Sequence, residues 1–383
     1  MGSLNFNYKD IFRSLRLGFS AKKVGMAMVG LLFAFAGYGI LAYVAHLTAG
    51  NDWLSVWEIF RLLPFPRPDL PFPWFSWLIY SLGVVWFVLV MLVTAAAIAK
   101  VTFEQLRGNE FFEAGEGFKF ALKNTGSLLG SPLLIIAFIA LIVIAGLILS
   151  AIGAIPHFGT IFTALLAIIG FFASLFILYL LIVLFFTLLY SPAIVGTMGN
   201  DTFDTMFEVF SCINEQPARF VWYTIITAIL ARFGSFLLGI AANLSTRIGS
   251  LILGTFMGEK WQEMLAGAES IFKIVIPRWG VFTPLHEAFL WEARIYGIPN
   301  IYIPTPWFNP VWSITIGSIL LAACGYAIAL IVIGYGLSVW ISGTTVALTI
   351  IIKKKDDKNI LEVPEEEEEE IFEPEQRQEQ ETK

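Results

Sequence analysis

Charge is scarce in this chain: Asp, Glu, Lys and Arg make up 14% of its 383 residues, against roughly 25% in an average soluble domain. That shortage excludes a water-soluble fold of this size, which needs more polar surface. Cysteine occurs twice and histidine three times. Cys212 and Cys324 have no metal-type spacing, so neither a disulfide framework nor a thiolate zinc site is implied. There is no nucleophile elbow, phosphate-binding loop, dinucleotide fingerprint, CxxC pair or kinase signature, and hence no expected cofactor. A basic, aromatic nucleic-acid surface is also missing.

What is present is apolar. Hydrophobic residues reach 57% and aromatics 15%, and mean hydropathy is +0.76. They fall in runs long enough to cross a bilayer, which takes ~20 residues. The chain is expected to be an all-α integral membrane protein with six spans, at about 24–47, 74–99, 132–155, 161–190, 220–241 and 309–352. Lys22 and Lys23 followed by Ala34-Phe35-Ala36 imitate a signal peptide, but the apolar run continues to Ala45 and reads better as a first span. The last run ends at Lys353-Lys354-Lys355. A straight helix of that length is ~66 Å, twice the hydrocarbon core. It therefore projects, or breaks near Gly334-Tyr335-Gly336 or Ser342-Gly343, or forms two spans.

The net charge of −6 misleads, because residues 353–383 hold 13 acids and 6 bases while the rest of the chain holds 17 acids and 18 bases. With the N-terminus inside, the inner segments carry 14 Lys and Arg and the outer segments 7. That places both termini in the cytoplasm. The Glu365–Glu370 run repels itself and predicts a disordered acidic tail, either solvating or docking a basic cytoplasmic protein.

A unit recurs between spans. Gly108-Asn109-Glu110-Phe111-Phe112-Glu113 returns, offset by 91, as Gly199-Asn200-Asp201-Thr202-Phe203-Asp204, and Glu116-Gly117-Phe118 returns as Glu208-Val209-Phe210. In the second copy Phe203, Met206, Phe207 and Phe210 share a helical face opposite Asp204, Glu208 and Ser211. The first copy places Phe111, Gly115, Phe118 and Leu122 together. At the N-terminus Tyr8, Ile11, Phe12, Leu15 and Phe19 form a stripe opposite Lys9, Arg13 and Arg16. Three interfacial helices at the headgroup boundary are expected, in a threefold unit of interfacial helix, span, outer loop and returning span.

This layout, with Phe203-Asp204-Thr205-Met206-Phe207 between spans, resembles uncharacterised bacterial six-span membrane proteins. These include the membrane domain fused to some glycerophosphodiester phosphodiesterases and its stand-alone relatives. The resemblance covers roughly residues 5–240 and implies a bacterial inner-membrane protein. The chain has neither room for the phosphodiesterase barrel nor its His/Glu pattern, so that activity is not implied. The end of the chain, from Ser338-Val339-Trp340 through the lysines into the glutamates, also resembles bacterial membrane proteins with an acidic tail.

On the predicted outer face, Pro64-Phe65-Pro66-Arg67-Pro68 and Pro71-Phe72-Pro73 forbid helix and favour an extended lid. Residues 242–308, with Trp261, Trp279, Trp291 and Trp307, read as a helical cap along the bilayer. His46, His157 and His286 all fall on that side, near Glu287 and Glu292. A metal-dependent enzyme there needs convergence from three loops. Gly126-Ser127-Leu128-Leu129-Gly130 is a weak helix-contact signal.

Arg232 is the single charge inside a predicted span, and such residues cost ~2.5–3.5 kcal/mol to insert. Snorkelling to the interface, bonding carbonyls near Gly234 and holding an anion with Arg247 all fit. The expectation is a non-enzymatic membrane protein that binds or handles lipid or another hydrophobic anion. The alternatives are a scaffold that recruits a soluble partner through its tail and, more distantly, an outer-face metal enzyme.

Overall fold

The computed structural model describes residues 4–60, 63–66, 72–271 and 311–362, and every regular element among them is helical. A 3-10 turn, Tyr8–Arg13, leads into α1 (Ser14–Gly18), α2 (Ala21–Thr48), α3 (Trp53–Phe60) and α4 (Trp74–Leu106). Next come α5 (Ala114–Lys123), α6 (Thr125–Gly153), α7 (Phe158–Leu165) and α8 (Ala167–Met198). The last set is α9 (Thr202–Glu215), α10 (Pro217–Met257), α11 (Glu259–Ile271) and α12 (Trp312–Asp356). Six of these, α2, α4, α6, α8, α10 and α12, are long and apolar enough to cross a membrane. The protein is an integral, multi-pass membrane protein.

The spans are longer than the sequence predicted, for identifiable reasons. Helix α6 begins at Thr125 rather than 132 and runs straight through Pro132, while α8 carries Pro192 and continues to Met198. Proline is tolerated there because neighbouring helices re-satisfy or shield the freed carbonyls, and both prolines are buried. Residues 161–165, assigned to the fourth span, belong to the separate α7, which ends at Leu165. Helix α10 runs to Met257, so 242–257 continues the fifth helix instead of opening the outer cap; Gly258, at φ +54°, stops it. The remainder of the expected cap, 272–308, lies outside the described residues, and so do His286 and the glutamate run.

The last apolar region is one unbroken helix of 45 residues, ~68 Å at 1.5 Å per residue. Its glycines are contact points rather than breaks. A Cβ on Gly334 would sit 3.3 Å from the Val24 carbonyl, and one on Gly336 would sit 3.0 Å from Ser235 Cβ. At Gly343 it would lie 2.5 Å from Thr227 Cγ2 and 3.3 Å from Ser14 Cβ. Small residues let helix backbones approach where lipid supplies no hydrophobic drive.

The chain divides into two compact units. One comprises Met1–Leu17, Leu92–Ala228 and Ile341–Lys383. In it α6, α8 and α9 pack on one another. Gly196 fits against Ala99, with the Ala96 carbonyl 3.0 Å from where a Cβ would stand. Tyr190 is fully buried, its ring tilted against Phe220 with centroids 4.4 Å apart and its hydroxyl hydrogen-bonded to Thr224 Oγ1 at 2.7 Å. Thr102 and Ser342 hydroxyls meet at 3.2 Å.

The other unit comprises Gly18–Met91 and Ile229–Trp340. Here the proline-rich segment after α3 is pinned by its carbonyls, the groups prolines still offer. Tyr38 Oη donates to the Pro64 carbonyl at 2.7 Å and lies 3.1 Å from Tyr80 Oη. The Trp86 indole N–H donates to the Phe33 carbonyl at 3.1 Å, and a Cβ on Gly37 would overlap its ring. Helix α11 packs beside α10 and α12: Trp261 Nε1 donates to Ser250 Oγ at 2.8 Å, and Gly267 faces Ser318.

Candidate functional site

Three short helical segments of the first unit begin with the same device, an oxygen-bearing N-cap followed by an acid three residues on. Asn7 caps the N-terminal turn reciprocally with Asp10, and Glu113 caps α5 with Glu116. Asp201 accepts from the Asp204 amide at 2.9 Å. Such caps satisfy first-turn amides and place negative charge at the positive end of the helix dipole. Gly108 at φ +100° and Gly199 at φ +67° reverse the chain just before the latter two helices, a backbone state that glycine alone adopts without strain.

The faces of these helices differ in part from the predicted stripes. Tyr8 and Phe12 are about half exposed, while Ile11 is buried. On α5 the buried positions are Gly117 and Ala121; Phe111 is 92% exposed, Leu122 is exposed and Phe118 half-buried. On α9 Thr205, Met206, Val209 and Cys212 face inward, Phe203 and Phe207 stand exposed, and Phe210 is half-buried. On α5 small residues take the protein side, while Ile11 does so in the N-terminal turn and Met206 and Val209 on α9; most of the aromatics are left outward.

Helix α9 also makes a polar contact that no sequence pattern announced. Lys355 Nζ lies 2.6 Å from Glu208 Oε1 and donates to Ser211 Oγ at 3.0 Å. Cys212 Sγ donates to the same Glu208 oxygen at 3.4 Å. Burial, with the Glu208 carboxylate beside it, pushes the Cys212 thiol well above its ordinary range, so it stays protonated. A buried protonated thiol is a packing group, not a nucleophile.

Arg232 and Arg247 are both exposed on α10. Fifteen residues of helix separate them by ~22 Å, so one small anion cannot bridge them. Between them runs a lateral groove of about 400 Å³, lined by Leu238, Ala242, Ser245 and Thr246 of α10 and Ile328, Ile331 and Val332 of α12. At ~100° per residue, Arg232 lies ~95° around the helix from the centre of the groove-lining arc and Arg247 ~155°. Neither arginine lines the groove: Arg232 stands ~9 Å before Leu238 along the axis and to one side of the arc, and Arg247 turns away from it.

Lys23 was missed, because the first span was started one residue after it. Helix α2 begins at Ala21, and the Lys23 side chain is 1% exposed with no hydrogen-bond partner for Nζ. The signal was present in the paired lysines, which read as a flank rather than as part of the helix.

The histidines are dispersed. His46 is fully buried, its Nδ1 3.2 Å from Asn51 Nδ2 and its Nε2 3.0 Å from the Phe65 carbonyl. The amide can only donate, so Nε2 carries the proton and pins the proline segment. His157 sits at φ +64° before α7. Among the described residues no group of three His, Cys, Asp or Glu is placed to hold a metal ion.

No family model, no curated protein and no solved structure matches this chain.

Proposed function

We propose that this is a non-enzymatic protein of the bacterial inner membrane, both termini cytoplasmic, which binds or handles an anionic phospholipid or a similar hydrophobic anion. The observation that carries this reading is the groove between α10 and α12, with Arg232 ~9 Å before its first lining residue on α10. An acyl chain fits the apolar lining, and the anionic headgroup pairs with the guanidinium, whose fork suits phosphate oxygens. Two hydroxyls, Ser245 and Thr246, give the groove its polar component.

The membrane body fits a threefold unit. Each unit is a capped amphipathic segment, a span, a short helix and a returning span: Tyr8 through α4, α5 through α8, and α9 through α12. The left-handed glycines Gly108 and Gly199 support the alignment of the motifs offset by 91. The outward aromatics Tyr8, Phe12, Phe111, Phe203 and Phe207 would rest in the inner leaflet, and α11 would belong to an outer cap.

Native mass spectrometry of the protein released from nanodiscs tests the assignment. Wild type and Arg247→Ala are expected to retain an anionic lipid that Arg232→Ala loses. Retention in all three, or in none, overturns it. Loss of a co-purifying soluble protein on deleting residues 359–383, with no lipid effect of Arg232→Ala, would favour the tail-dependent scaffold.

A further inference from the structure

Helix α2 starts in an unusual electrostatic setting. Ser20 occupies the N-cap position but makes no side-chain capping bond, unlike the three capped segments of the other unit. Lys23, third residue of this 28-residue helix, is buried with an unpartnered ammonium. Cα–Cβ bonds in a helix tilt toward its N-terminus, so the lysine stem runs back over the first turn. The positive end of the helix dipole and a buried lysine thus share one turn.

Among the described residues of the same unit, no acid lies on the spans that surround this charge. The span segments α2, 74–91, 229–257 and 312–340 contain no Asp or Glu. The unit's described acids, Asp52, Glu58, Glu259, Glu263 and Glu269, stand at α3 or on α11. On one side the turn packs on α12, while Phe19 and Ala21 remain exposed. Ser338 Oγ donates to the Gly18 carbonyl at 2.9 Å, Phe19 meets the Tyr335 ring edge-on at 5.4 Å, and a Cβ on Gly18 would strike Val339. An isolated buried ammonium is costly unless paired, and this packing fixes it in place.

We infer that the N-terminal turn of α2 is a second anion site, in which Lys23 and the first-turn amides bind a phosphate group from a lipid headgroup or from free phosphate. A helix N-terminus with a lysine is suited to phosphate. The site is independent of the α10–α12 groove, which neither includes Lys23 nor needs it.

The full chain in dodecyl maltoside micelles, which carry no phosphate, would be melted with inorganic phosphate, or with phosphatidylglycerol added to the micelles at ~10 mol%, a saturating local concentration of headgroup phosphate. Wild type, Arg232→Ala, Lys23→Met and Lys23→Gln would be compared. Expected is a rise in melting temperature for wild type and Arg232→Ala with at least one ligand, and about tenfold weaker binding in the Lys23 variants, one charge-assisted hydrogen bond's worth. A response to the lipid alone identifies a headgroup site, and a response to phosphate identifies the free anion. No response in wild type, or the same response in the Lys23 variants, overturns the inference. If neither variant folds, washing bound anion from wild type decides: lowered stability upholds the site, unchanged stability overturns it. Because Arg232→Ala is in the series, failure of the groove and failure of this site are read separately.

Discussion

Lys355 and Glu208 lie 147 residues apart in sequence and meet at 2.6 Å, tying the last turn of α12 to the middle of α9. The lysine is 3% exposed and the glutamate 18%. Ser211 and Cys212 share the same two charges. The lysine triplet, which from composition alone marks a cytoplasmic flank, thus contains one residue that is a tertiary contact.

Breaking this pair from one side should be costly. Lys355→Ala leaves Glu208 half-buried without its cation and is expected to destabilise by about 3 kcal/mol, the lower end for a broken buried pair. Lys354→Ala, an exposed neighbour, should change stability by less than about 0.5 kcal/mol. Melting or denaturant curves of the two variants check this. Equal effects would mean that the contact contributes nothing specific.

Cys212 predicts a pH dependence. Its folded-state pKa is raised by burial and by Glu208, so the folded state holds its proton more tightly than the unfolded state does. The contribution is fully present below the ordinary thiol pKa of ~8.5 and is lost as pH rises above it. Wild type should lose about 2 kcal/mol more than Cys212→Ala between pH 8 and pH 10. Parallel pH–stability curves for the two proteins would contradict the burial.

Glycines in the spans should divide sharply. Gly343→Val forces a side chain into Thr227 and Ser14 and is expected to cost roughly 1–3 kcal/mol or more through overpacking. Gly146→Ala adds a methyl where nothing lies within 4 Å, and should be neutral or gain up to ~1 kcal/mol of helix propensity. Thermal melting of the two variants in the same nanodisc separates these outcomes.

Much of the fold was legible because bilayer crossing demands long apolar runs, and all six spans are where those runs lie. Boundaries were not, since a proline such as Pro132 or Pro192 ends a helix in water but not when buried in a helical membrane body. Gly334 and Gly336 illustrate the same ambiguity: a glycine pair reads as a break, yet the backbone stays helical and the missing side chains admit Val24 and Ser235. For the candidate site, Arg232 stood out as a lone intramembrane charge. Its groove could not, because Ile328, Ile331 and Val332 come from a helix about 100 residues further on. Lys23 hid among flanking lysines, where a solvated charge and a buried one look alike in sequence.

The most direct test uses phosphatidylglycerol carrying a photoactivatable group on its acyl chain, crosslinked to the protein in nanodiscs and mapped by peptide mass spectrometry. The account predicts labelling concentrated at 238–246 and 328–332 and reduced by Arg232→Ala. The spans supply an internal control, since Ile136, Phe138, Leu141 and Ile144 of α6 are exposed apolar residues outside the groove. Labelling spread evenly over α6, α8 and the groove, unchanged by the variant, would contradict a lipid site there.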